Sequence, residues 1–314
     1  MSSGFPNQQE HSVRSWISRL VEGVEPLLRR LARWGRQREL GQRLWRFSLR
    51  NQYRWDSPNG VASSWLERSV NYGLMSPERR ASSVAALVEL FFSLVDDLAI
   101  DRFVEAGAKE AGASQRAATL RPGSDVVAFE ANPFTYRRFE KRLAATPVEY
   151  IHLALSDAPG MVTFQVRLTP DGAPIADGQG SLHVRSTYEP GYHETQVEAV
   201  TLDGFFADRD GGTVGPSRSA WWVDVEGASA HVLRGGRQLL QATDLVMIEV
   251  EEIRAWDQQE WLQADVVGFM ADNGLVPIAR DIQSRIQFNI VFVREELARS
   301  SVVARRLAAW RSAC

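Results

Sequence analysis

The spacing of apolar residues changes character near residue 100. Before that point the period is helical. Trp16, Leu20, Val24, Leu27, Leu31 and Trp34 recur every three or four residues, and Leu40, Leu44, Trp45 and Phe47 continue the stripe. This predicts helix over 12–50, with Pro26 kinking or dividing it. Asp56-Ser57-Pro58-Asn59-Gly60 reads as a loop, and a short helix is expected around 62–71. Ser76-Pro77-Glu78 supplies an N-cap serine and an N1 proline. They open a helix to about Asp97, whose Leu87, Leu90, Phe91, Leu94 and Val95 form a core face.

From Phe103 onward, strands alternate with helices, the pattern of a parallel sheet. Strands are predicted at 102–106, 125–130, 148–153, 220–225 and 245–249, with Asn132-Pro133 opening the helix after the second. The stretch 160–202 breaks this rhythm. Val162, Phe164, Val166 and Leu168 alternate, as do Val197, Ala199 and Thr201, which predicts an inserted antiparallel hairpin with a loop over 169–180. A second loop, 207–219, precedes the next core strand. Val276 to Ala279 and Phe288 to Val293 are joined by a short polar segment, so the last strand enters antiparallel to its neighbour. The expected fold is α/β: a Rossmann-like sheet with a terminal antiparallel hairpin, over 101–298. A helical, Arg-rich extension or cap precedes it over 1–100, and a helical tail follows over 299–314.

Composition narrows the chemistry. The single cysteine, Cys314, excludes an internal disulfide framework and any cysteine-held zinc or iron–sulfur centre. A reducing cytoplasm fits that usage. No segment approaches the ~18 consecutive apolar residues of a membrane span. Met1 to His11 lacks the apolar core of a signal peptide. Residues 1–50 carry a net charge of +6 against −9 for the remainder, which marks the N-terminal segment as a separate unit. An amphipathic, Arg-rich stretch over 12–50 suits peripheral contact with an anionic membrane or glycolipid surface, or packing as a cap or homodimer face. No nucleic-acid module is evident.

The densest chemistry lies between Phe103 and Pro133. A strand ends at Glu105-Ala106-Gly107-Ala108-Lys109-Glu110-Ala111-Gly112, and the next ends at Glu130-Ala131-Asn132-Pro133. Glycines at 107 and 112 let the backbone approach a ligand, and the following helix offers unpaired N–H groups. Glu130, at a strand end, is placed to accept hydrogen bonds from a ribose. Dinucleotide sites usually require G-x-G-x-x-G to seat a pyrophosphate. Here a single glycine sits in the tight turn, which suits S-adenosylmethionine better because it carries no phosphate. A dinucleotide, or a glycine turn without any ligand, stays open on these residues alone.

A second acidic centre is Trp221-Trp222-Val223-Asp224-Val225-Glu226-Gly227-Ala228. Asp224 and Glu226 reach one side of the carboxyl edge of a buried strand, where ligands bind in open α/β sheets. The plainer reading is a helix-capping acid pair. Asp224, Glu226 and Glu249, all at strand ends, also have the chemistry of oxygen ligands for Mg²⁺. Paired carboxylates are more often capped or solvated, so no metal is expected. His152, His183, His193 and His231 are candidate bases, although a surface or turn histidine is the commoner reading of each. Ser181, His183 and Trp222 are weaker candidates for acceptor contact, and core packing is expected of at least one of Trp221 and Trp222.

In this order the motifs resemble the FkbM-type methyltransferases, a family dependent on S-adenosylmethionine. D-x-G-A-N-x-G stands as 105–112, E-P-N-P as 130–133, A-L-S-D-x-x-G as 154–160, T-L-D as 201–203 and I-K-I-D-V-E-G-A as 221–228. Three positions depart: Glu105 replaces Asp, Lys109 replaces Asn, and Trp222 replaces Lys. The resemblance spans 103–294 and implies methyl transfer to a hydroxyl of a sugar, glycan or other natural product. It places the donor at Glu105, Gly107, Ala108, Lys109, Gly112, Glu130, Ala131, Asn132, Ser156 and Asp157. Their place at the carboxyl edge makes Asp224, as base or as partner of the donor's ammonium, and then Glu226 the catalytic candidates. A cofactor-binding scaffold without turnover is the alternative that positions 109 and 222 permit.

Overall fold

A computed structural model describes residues 76–313, apart from 186, 213–217, 283 and 285. The helices predicted over 12–50 and 62–71, and the surface or dimer roles attached to the first, lie outside the described residues.

The chain runs α1 (Pro77–Asp97), β1 (Arg102–Ala106), α2 (Gly112–Leu120), β2 (Asp125–Phe129), α3 (Pro133–Leu143), β3 (Glu149–Ile151), β4 (Ala154–Leu155), β5 (Gly160–Arg167) and β6 (Tyr192–Val200). It continues α4 (Leu202–Arg209), β7 (Ser219–Val223), α5 (Ser229–Gly235), α6 (Arg237–Gln241), β8 (Thr243–Glu251), α7 (Gln263–Asp272), β9 (Leu275–Arg280), β10 (Gln287–Arg294), α8 (Glu295–Ala298) and α9 (Ser301–Ala313).

Seven strands form one sheet in the order β3-β2-β1-β7-β8-β10-β9. β10 pairs antiparallel to both β8 and β9, and the other pairings are parallel. The fold is therefore the expected α/β sheet with a terminal antiparallel strand. Strand order reverses between β1 and β7, and the crevice of such a sheet opens at the carboxyl ends there. The inserted hairpin is present as β5 paired antiparallel to β6. It gains a third strand, because Ala154 and Leu155, just past the third strand expected over 148–153, pair parallel with β6.

Alternation along each strand splits the core in two. Phe103, Ala128, Ala220, Met247 and Val291 face α1, α2 and α9. Val104, Val127, Trp221, Ile248 and Phe292 face α4, α5, α6 and α7. Leu87, Leu90, Phe91, Leu94 and Val95 of α1 are buried in the first layer together with Val303, Leu307 and Trp310 of α9. α1 thus packs on the sheet, and α9 packs on α1. Caps set where the helices start. Ser76 accepts from the Arg79 N–H ahead of Pro77, and Asn132 accepts from Phe134 and Thr135 ahead of Pro133. Thr201 caps α4, and Asp203 accepts from the N–H groups of Gln238 and Leu239 at the start of α6. No helix among the described residues is long and apolar enough to cross a membrane.

Candidate functional site

The turn after β1 fits against the end of β7 only because residue 107 is glycine. Its φ is +78°, and a Cβ there would lie 1.8 Å from the Asp224 carbonyl oxygen. The Asp224 N–H in turn donates to Ala106 at 3.0 Å, and Gly107 and Ala108 donate to the Phe129 carbonyl. This contact brings together the ends of β1, β2 and β7. Lys109, Ala111 and Glu226 adopt left-handed backbone although none is glycine. Such residues cost roughly 1–3 kcal/mol each and concentrate at ligand sites.

Two clefts open along this edge and meet at Gly107 and Asp224. The first is lined by Phe129, Glu130, Ala131, Leu155, Phe164, Gly178 and Leu182. The second is lined by Phe92, Glu105, Ala108, Lys109, Gly112, Arg116 and Trp222. Glu130 forms the polar floor of the first. Its two oxygens accept the N–H groups of Lys109 and Asn132, each at 2.7 Å. Burial pushes its carboxyl up to about 7 despite those bonds. Glu105 accepts the Ser114 N–H at 2.8 Å and is likewise pushed to about 7 by burial.

Asp224, Glu226 and Glu249 converge, with carboxylate oxygens within 4.8 Å of one another, close enough to share a cation or a proton. Burial raises Asp224. Burial and the neighbouring Asp224 raise Glu226 to about 7 and Glu249 to about 10. Gln287, on the antiparallel strand, donates to Glu249 at 2.7 Å and to Glu226 at 3.4 Å. Ser181 donates to the Glu226 carbonyl at 2.6 Å and holds its left-handed turn. Gly227 follows with φ +85°, and a Cβ there would meet Trp256 at 2.4 Å. Arg185 lies 4.1 Å over the Trp256 ring and 4.0 Å from the Glu226 carboxylate.

Other predicted residues are engaged elsewhere. Asn132 is the α3 cap and donates to the Ile175 carbonyl. Asp157 is bound by His231 at 3.1 Å and Arg234 at 3.0 Å, which keep its carboxyl low although burial opposes this. Ser156 is buried beside it, 3.4 Å from its carboxylate, and neither lines a cleft. His183 is 7% exposed with no partner on either ring nitrogen, and burial pushes it down to about 4. Trp221 is fully buried, and Trp222 packs on Phe91 and Phe92 while walling the second cleft. His152 lies against the Ala131 carbonyl, and His193 packs edge-on to Phe134.

Sequence reasoning did not single out Gln287, Arg185, Glu251 or Trp256. Gln287 carries a signal in retrospect. The antiparallel pairing of β10 with β8 sets Gln287 opposite Glu251 and Asn289 opposite Glu249, so its amide faces strand-end acids. Arg185 and Trp256 sit in loops whose approach no local pattern encodes.

A family model described as the Methyltransferase FkbM domain matches residues 105–277. No curated protein matches the chain in sequence. Among solved structures, the chain is similar to methyltransferase FkbM from Methylobacillus flagellatus, with 11% identity and a TM-score of 0.43. That likeness covers 88% of this chain and 60% of the other, so the chain spans 60% of that protein's length. It is also similar to a precorrin-6y C5,15-methyltransferase from Geobacter metallireducens, with 12% identity, a TM-score of 0.32, and 69% and 87% of the two chains covered. A third is the 1,6-didemethyltoxoflavin-N1-methyltransferase from Burkholderia thailandensis, bound to 1,6-didemethyltoxoflavin and S-adenosylhomocysteine. Its identity is 13%, its TM-score 0.33, and the coverage 73% and 87%.

Proposed function

The chain belongs to the FkbM methyltransferase family, and on that premise we propose that it moves a methyl group from S-adenosylmethionine to a hydroxyl of a sugar, glycan or other natural product. The observation that carries the reading is Glu130. It is a buried acid at the end of β2, steered by two backbone N–H groups onto the floor of an apolar slot. Each oxygen retains a lone pair for a ribose hydroxyl. Phe129, Leu155 and Leu182 offer apolar walls for a planar base. Across Gly107, the carboxylate of Glu105 suits an ammonium, and Lys109 suits a carboxylate. That donor set fits an amino-acid nucleoside.

Bound there, S-adenosylmethionine supplies an electrophilic methyl on a sulfonium. The chain supplies position and a base. Gly107 and Asp224 border both clefts, so a group held at their junction meets one carboxylate. We assign Asp224 to take the acceptor's proton and Glu226 to support it. Gly112, Ala108 and Ala131 shape the walls. Incubation with isotopically labelled S-adenosylmethionine and a panel of hydroxylated acceptors tests this. S-adenosylhomocysteine with a labelled methoxy product supports the assignment. A labelled N-methyl product overturns the hydroxyl, and saturable donor binding without turnover on any acceptor favours the scaffold alternative.

A further inference from the structure

Asp224 and Glu249 follow paired residues of adjacent parallel strands, Val223 and Ile248, so their side chains leave the sheet next to each other. One Glu249 oxygen is taken by the Gln287 amide at 2.7 Å, and a Glu249 carboxylate oxygen lies within 4.8 Å of one of Asp224. Around the pair, Glu105 faces Asp224 from β1, Glu226 from the following turn, and Glu251 faces Glu249 from the same strand. Lys109 from the glycine turn and Arg185 from the segment before β6 are the cations whose charge reaches this group. Among the described residues, five carboxylates therefore face two cations in a water-poor space. Acids this close do not all ionise together. A proton between two of them relieves the repulsion.

We propose that Glu249 is a positioning residue that shares its proton with Asp224. Its O–H donates to one Asp224 oxygen, and the amide of Gln287 fixes its orientation. The other Asp224 oxygen is left to receive the acceptor's proton. The role of that second oxygen rests on the methyl-transfer reading above. In the transfer, the acceptor's O–H bond breaks and its proton goes to Asp224. The acceptor oxygen gains the methyl carbon, and the sulfur keeps the C–S electron pair. Glu249 retains its own proton throughout, so it contacts Asp224 and not the reacting atoms.

The shared proton is measurable without any acceptor. Infrared spectra of the full chain at pH 9 report the carbonyl stretch of a protonated carboxyl, when the acids pushed only to about 7 have mostly ionised. The wild type should show one such band. Glu249→Gln should abolish it, whereas Asp224→Asn should keep a band that titrates at lower pH, because Glu249 has lost the neighbouring charge that helps hold its proton. Should Glu249→Gln not fold, Gln287→Leu serves instead, and it should shift the pH at which the band titrates. A wild type without the band, or a folded Glu249→Gln that keeps it, overturns the proposal. Loss of the wild-type band on adding one equivalent of MgCl₂ also overturns it, in favour of a shared cation. Failure to bind S-adenosylmethionine, with the band intact, would instead refute the donor reading alone.

Discussion

The two ends of the central sheet handle charge in opposite ways. At the amino ends of the strands, acids meet guanidinium groups. Arg102 holds Asp210 through both terminal nitrogens at 2.8 Å and Asp125 through Nε at 3.0 Å. Arg209 joins Asp125 to Glu149, and Arg218 holds Asp244 at 2.7 Å. At the carboxyl ends, Glu105, Glu130, Glu226, Glu249 and Glu251 are all pushed up, in each case mainly by burial. The same residue type therefore serves two purposes within one sheet. Matched ions lock the amino end. Unmatched acids at the carboxyl end cost stability and are what a ligand-binding edge retains.

The largest effect should come from the unmatched end. If Asp224 is the base, Asp224→Asn should lower turnover by about 10²–10⁴ and leave donor affinity nearly unchanged. Steady-state rates with calorimetric donor binding check this, and near-normal turnover in the folded variant removes Asp224 from the mechanism. At the matched end, Arg102→Ala should reduce stability by about 1–3 kcal/mol, because it removes the bidentate guanidinium from the half-buried Asp210 while Asp125 keeps Arg209. Denaturant unfolding measures that loss. A change below about 1 kcal/mol, or a comparable loss of donor affinity, would erase the distinction between the two ends.

A smaller effect is the pH dependence of stability. An acid raised in the folded state binds more protons there than in the unfolded chain. Stability from Glu105, Glu130, Glu226 and Glu251 is therefore complete below about 4.5 and is lost as pH rises through about 7. Melting temperatures between pH 5 and 8 should fall for the wild type and fall less for Glu251→Gln. Equal slopes would show that Glu251 is not held protonated by the fold.

The fold was legible because burial on both faces writes itself into sequence. Alternating contacts sort Phe103 from Val104 and Trp221 from Trp222, and the short link before Phe288 announced the antiparallel strand. Ala154 and Leu155 fall outside every predicted strand, since two residues carry no sign of which sheet they join. Asn132 was read as a ligand contact and as the start of a helix, and the structure places its side chain in the cap. Asp157 is a donor candidate in sequence, and its partners His231 and Arg234 come from α5, more than seventy residues on. Local spacing placed the acids at strand ends. It also grouped Glu249 with Asp224 and Glu226, and the pairing of β7 with β8 is what brings their oxygens within 4.8 Å of one another.

The central claim is that the carboxyl edge holds S-adenosylmethionine through Glu130. Isothermal titration of S-adenosylmethionine into the full chain and into Glu130→Ala tests it most directly. Charge-assisted hydrogen bonds of about 1.5–3 kcal/mol predict saturable wild-type binding that weakens tenfold or more in the folded variant. Equal affinity in the two proteins, or no binding to the wild type, would contradict the account.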